Sequence, residues 1–120
     1  MRDSDSRPIR TLFICQQNRK RSATAERVFA KDPTLDVRSA GTASDALVQV
    51  NRRMIEWADV IFVMDDGQRR DLGRMFPGDE AVDRAICLDI PDLYPFLDPE
   101  LVTLLRERTQ PHLDVLRGSR

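Results

Sequence analysis

The chain has 120 residues, 41% apolar and 32% charged, which allows one buried core and one domain. Its 19 Lys and Arg against 20 Asp and Glu exclude the basic excess of a nucleic-acid binder and the charge of an acidic tail. Two cysteines and one histidine exclude a disulfide framework and a four-ligand zinc site, and no apolar run approaches the roughly 18 residues of a membrane span.

Residues 1–9 read as a loose polar leader without the apolar stretch of an export signal. That reading implies a cytoplasmic setting in which thiols stay reduced. From residue 10 a single domain runs to residue 120. Arg10-Thr-Leu-Phe-Ile-Cys15 is a short apolar run and predicts a buried strand. A polar octet, Cys15 to Ser22, leads into a helix from Ala23 to Ala30, with Ser22 at or near its N-cap. Asp32-Pro33 stops that helix. Leu35 to Ser39 alternates apolar and polar, as an outer strand does, and 40–44 is a loop. Leu47, Val50, Met54 and Trp57 recur at spacings of three and four, which predicts an amphipathic helix over 46–58. Asp59 to Met64 is the clearest buried strand. Asp65 and Asp66 read as caps of a helix over 68–76, and Pro77-Gly78 turns the chain. Ala85 to Leu88 is a fourth strand, followed by a Pro-rich loop over 89–95. Asp98-Pro99 opens a last helix, with Leu101, Leu104 and Leu105 inward, which Pro111 kinks or ends.

The alternation of strands and helices predicts an α/β fold: one doubly wound domain with a four-stranded parallel sheet and helices on both faces. Sites in such sheets form at the carboxyl ends of the strands. Here those ends hold Cys15, Asp65, Asp66 and the 89–92 loop, so a thiol and several carboxylates share one edge. Cys15-Gln-Gln-Asn-Arg-Lys-Arg-Ser22 is a strand-to-helix loop of the form Cys-x5-Arg-Ser. Such a loop can aim the backbone N–H groups of Gln16, Gln17, Asn18, Arg19 and Lys20 at one point, beside the positive end of a helix. Arg21 would close this oxyanion cradle with a two-pronged guanidinium grip. The positive bowl suits a charged sulfur on Cys15, the nucleophilic form, and Ser22 can donate a hydrogen bond to it. Asn18 tolerates the left-handed backbone that such a loop demands. Cys87 in a predicted strand and Trp57 at helical spacing read as packing. His112 and the pairs Arg52-Arg53 and Arg69-Arg70 read as surface.

The stretch Leu12 to Phe29 resembles the active-site segment of the low-molecular-weight protein tyrosine phosphatases, which carry Cys-x-x-Asn-x-x-Arg-Ser followed by Ala-Glu. Three further segments agree in order, so that the likeness spans residues 10–110. Val37 to Thr42 resembles the family's Ser-Ala-Gly-Thr stretch. Met64-Asp-Asp66 with Arg70-Asp-Leu72 resembles its Met-Asp segment and next helix. Asp92-Leu-Tyr94 stands where the family has Asp-Pro-Tyr. The resemblance implies that Ser39 braces Asn18. It also implies hydrolysis of a phosphate monoester through a cysteinyl-phosphate on Cys15, with Arg21 as clamp and an aspartic acid as general acid and base. Counting back from the last helix favours Asp92 as that acid, with Asp89 the fallback. Tyr94 would either line the mouth or cover the core. No metal or cofactor is implied, and the expected partner is a phosphorylated substrate, with no nucleic acid or membrane and a monomer as the simplest state. Phosphotyrosine, phosphoarginine and a small ester all stay open.

The chain departs from the family at several points. Lys20 replaces the second loop cysteine, Leu93 replaces the Pro after the acid, and the stretch between Ser44 and Asp59 is short. The missing insertion normally supplies an aromatic wall, and Arg19 and Lys20 make the mouth unusually basic. Two other functions compete: a thiol-dependent arsenate reductase on the same scaffold, for which only Cys87 could serve as relay, and a phosphate-binding module without turnover.

Overall fold

The computed structural model describes residues 7–118. In chain order the elements are β1 (Ile9–Cys15), α1 (Arg21–Phe29), β2 (Leu35–Gly41), α2 (Arg52–Trp57), β3 (Val60–Val63), α3 (Asp66–Met75), α4 (Glu80–Asp83), β4 (Ile86–Cys87) and α5 (Pro99–Gly118). The strands form one parallel sheet in the order β2-β1-β3-β4. The expected doubly wound α/β architecture is what the chain adopts. Of the expected leader, residues 1–6 lie outside the described residues. Ile9 is part of β1, opposite Leu35 and buried.

The period-two rule for strands divides the sheet into two faces. Phe13 and Cys15 point to one, where they join Phe29, Phe62, Met64, Leu101, Leu105 and Leu113 beneath α1 and α5. Leu12 and Ile14 point to the other, with Ile61, Val63, Leu72 and Phe76 among the buried residues there. The first face is organised by a stack of three rings. Phe13 lies between Phe29 and Phe62, with centroids 5.6 and 5.3 Å apart.

Three elements differ from the sequence reading. The expected helix over 46–58 is helical only from Arg52, with Asn51 as its cap: Oδ1 accepts from Met54 N at 3.0 Å. Residues upstream are drawn into the sheet edge instead. Gly41 N donates to Val48 O, and Val50 N donates to Gly41 O, so Val50 is buried by sheet-edge pairing rather than by a helix face. The last helix continues through Pro111 to Gly118. Pro111 and Glu107, whose carbonyl loses its partner, are both exposed, so water can replace the missing bond. Buried Leu105, Thr109 and Leu113 hold the helix on either side. A short helix, α4, was not anticipated; Asp79 caps it by accepting from Ala81 N and Val82 N.

Two expected packing residues sit nearer the surface. Cys87 is half-buried on the edge strand, and Trp57 is half-buried under the guanidinium of Arg38, 4.2 Å above its ring. His112 is exposed as expected, its ring centroid 6.0 Å from that of Phe62.

β2 must end in a residue without a side chain. A Cβ on Gly41 would clash with the carbonyl oxygen of Gln16 and lie 2.7 Å from Ala46 Cβ. Gly41→Ala should therefore destabilise the fold by about 1–3 kcal/mol through overpacking, read as a lower urea midpoint. An unchanged midpoint would show that the 15–17 backbone yields freely.

Candidate active site

Sheet order reverses between β1 and β3, and ligand crevices open at the carboxyl ends of strands at such a switch point. Cys15 ends β1, and Asp65 follows β3. Between them and the 89–92 loop lies a small cavity lined by Cys15, Gln17, Arg19, Lys20, Arg21 and Asp92.

The loop's backbone is oriented from outside. The carbonyls of Cys15, Gln16 and Gln17 accept from Thr42 N, Ala43 N and Leu47 N at 3.1, 3.0 and 3.0 Å. In a trans peptide the N–H points opposite the C=O. Pulling three carbonyls outward therefore turns the N–H groups of Gln16, Gln17 and Asn18 inward. Asn18 shows the result directly, since its N donates to Cys15 Sγ at 3.1 Å. Asn18 has φ of 60°, the left-handed conformation that asparagine tolerates best among non-glycine residues.

A chain of side chains completes the support of the sulfur. Asn18 Nδ2 donates to both Ser22 Oγ and Ser39 Oγ at 2.9 Å. Ser39 in turn donates to Glu26 Oε1. With Asn18 occupying an acceptor site on Ser22, the Ser22 hydroxyl can give its proton to Cys15 Sγ, 3.0 Å away. Asn18, Ser22 and Ser39 are all buried. The pairing of Ser39 with Asn18 is as expected. Ser22 does not cap α1; it is the helix's second residue, and Lys20 occupies the cap position without a side-chain bond.

Arg21 is only 3% exposed. Its Nη1 donates to Asp65 Oδ2 at 2.9 Å and to Ile90 O at 2.8 Å, while Nε lies 3.9 Å from Asp92 Oδ1. Both hydrogen bonds use Nη1, so the edge carrying Nε and Nη2 is the one suited to an oxyanion. Asp65 has two duties. It caps α3 by accepting from Gly67 N, in a reciprocal box with Gln68, and it also holds Arg21.

The two carboxylates expected near the site, Asp92 and Asp89, lie in different surroundings. Asp92 lines the cavity and is 53% exposed. Asp89, at φ 54°, turns toward Cys87, whose Sγ donates to its Oδ1 at 3.4 Å. Burial above all, with the Asp89 carboxylate beside it, pushes the Cys87 thiol up against an opposing bond from the Asp89 backbone. The loop holding Asp92 is tied at both ends. Arg108 Nη1 donates to the carbonyls of Leu88 and Asp89, and Thr24 Oγ1 accepts from Leu97 N. Tyr94 is half-buried and packs against the first core face. Gln16 is exposed and stands outside the cavity wall. Glu26 as the partner of Ser39, Asp65 as a clamp, Thr24 and Arg108 escaped the sequence reading, because each meets a partner at least 13 residues away along the chain. Among the described residues no group of three or more His, Cys, Asp or Glu could hold a metal ion, and no helix is long and apolar enough to cross a membrane.

Asp65 carries a testable pH dependence. Partial burial pushes its carboxyl up, but the bonds from Arg21, Gln68 and Gly67 outweigh it, and the net direction is down. Its stabilisation is complete above the unfolded value and is lost as pH falls through the lowered folded value. Between about pH 5 and 3 the urea midpoint of the wild type should fall more steeply than that of Asp65→Asn. Parallel curves would mean that the Arg21–Asp65 pair adds nothing.

Comparison of the sequence with protein-family models and with curated proteins finds no match. Solved structures do match. The chain is similar to the arginine phosphatase YwlE from Geobacillus stearothermophilus, with TM-score 0.69 and 23% identity over 94% of this chain and 97% of that one. It is similar to SP-PTP, a low-molecular-weight protein tyrosine phosphatase from Streptococcus pyogenes, with TM-score 0.74 and 18% identity over 90% and 93%. The tyrosine phosphatase Wzb from Escherichia coli K30, in complex with phosphate, matches with TM-score 0.72 and 20% identity over 89% and 97%. The fold is therefore that of the low-molecular-weight protein tyrosine phosphatases.

Proposed function

We propose that the chain hydrolyses phosphate monoesters through a cysteinyl-phosphate. One observation carries the reading. The sulfur of Cys15 lies at a cavity whose lining includes Arg21 and Asp92, and it faces the Asn18 N–H and the Ser22 hydroxyl. The fold neighbours support it: they are named as tyrosine and arginine phosphatases, so what they share is chemistry at the phosphoryl group, not at its carrier.

In the first step the Cys15 thiolate attacks phosphorus, an S–P bond forms and the ester P–O bond breaks. Inward N–H groups and the Nε–Nη2 edge of Arg21 hold the equatorial oxygens, most strongly as charge spreads in the transition state. Asp92, protonated, gives its proton to the leaving oxygen. In the second step the Asp92 carboxylate takes a proton from water as it attacks phosphorus. The S–P bond breaks, returning the thiolate and inorganic phosphate. Cys87 is half-buried with its thiol directed to Asp89, which favours hydrolysis over a disulfide relay with Cys15.

The test is turnover of p-nitrophenyl phosphate. Wild-type protein should hydrolyse it, vanadate should compete, and Cys15→Ser should lose on the order of 10³-fold or more in kcat. Tight phosphate binding with no turnover in the wild type would identify a binding module instead.

The acid has its own signature. Asp92→Asn should slow turnover by ~10²–10⁴ for esters with poor leaving groups and much less for good ones. The same pattern in Asp89→Asn, with Asp92→Asn unaffected, would move the assignment.

A further inference from the structure

Resting on the phosphatase reading, we propose that the mouth of the Cys15 cavity is built for a phosphorylated polypeptide segment whose neighbouring residues are acidic. Besides Cys15 and Arg21, the lining consists of Gln17, Arg19, Lys20 and Asp92. No aromatic ring is among them, so the wall cannot select a substrate by ring stacking. What it offers is charge. Arg19 and Lys20 are exposed, and among the described residues neither has a carboxylate within ion-pair distance. Arg19 is nevertheless anchored. Its Nη2 donates to the backbone carbonyl of Asp45 at 3.3 Å, which plants a full positive charge at the rim without neutralising it. Arg21, by contrast, is matched by Asp65.

The fold neighbours include a protein named as a protein tyrosine phosphatase, so a phosphorylated polypeptide is the carrier on which this charge would act. A segment rich in Lys or Arg would place like charges against Arg19 and Lys20, which costs affinity. A segment with Asp or Glu beside the phosphorylated residue would pair with them.

The experiment measures kcat/KM for matched phosphotyrosine peptides with Asp/Glu, Ala or Lys flanks, alongside p-nitrophenyl phosphate. The acidic peptide should exceed the Lys-flanked one by about tenfold or more at low ionic strength, and salt should shrink the ratio. In the double variant Arg19→Gln with Lys20→Gln the ratio should collapse toward unity, read within each protein so that any general loss of activity cancels. If the small ester is hydrolysed but flanking charge has no effect, or no peptide outperforms the ester, this assignment of the mouth is wrong and the phosphatase reading stands. If the ester is not hydrolysed either, both fall together.

Discussion

Everything at this site depends on three carbonyl groups facing away from it. A loop of successive inward N–H groups is not a low-energy shape by itself, because each peptide dipole repels its neighbours when they converge. Here the outer side of the loop is occupied. Thr42, Ala43 and Leu47 supply N–H donors to the carbonyls of Cys15, Gln16 and Gln17. Those hydrogen bonds satisfy groups that would otherwise be partly buried, and they set the peptide planes before any anion arrives. Preorganisation of this kind is what lets backbone dipoles act strongly on developing charge, since none of them has to reorient during the reaction.

The second layer is side-chain support. Glu26, Ser39, Asn18 and Ser22 form a line of hydrogen bonds that ends at the Cys15 sulfur. Asn18 donates to both serines and Ser39 donates to Glu26, which leaves the Ser22 hydroxyl free to donate to the Cys15 sulfur or to the carbonyl of Ala40. It also joins β2 and α1 to the loop between β1 and α1, which makes the cradle a product of the sheet's geometry and not of local sequence alone.

How much was legible in advance follows from sequence distance. Cys15 to Ser22 is contiguous, so the strand-to-helix loop and its left-handed Asn18 could be read from one segment. The strands at Arg10–Cys15 and Asp59–Met64 announced themselves as apolar runs. The stretch over 42–50 misled, because Leu47, Val50, Met54 and Trp57 fit a helical period while the backbone of Gly41 claims Val48 and Val50 for the sheet edge. Asp65 read as a helix cap, and it is one. Its bond to Arg21 spans 44 residues, and no periodicity encodes a meeting of that kind. Spacing favoured Asp92 over Asp89, but which way each loop side chain points, Asp92 into the cavity lining and Asp89 toward Cys87, is a matter that spacing does not encode. Helix α4, capped by Asp79, is a single turn, and one turn carries too little hydrophobic pattern to stand out.

Arg21 joins two tasks that are usually separate. Its guanidinium reaches the cavity, and the same group rivets the backbone of Ile90 and the side chain of Asp65 into place. The segment bearing Asp92, tied also by Arg108 and Thr24, therefore takes part of its position from the very cation that would hold the anion. Electrostatics and architecture cannot be edited independently at this residue: any replacement that cancels the charge also unfastens the carboxylate's mooring, and a loss of function there reports the sum of both.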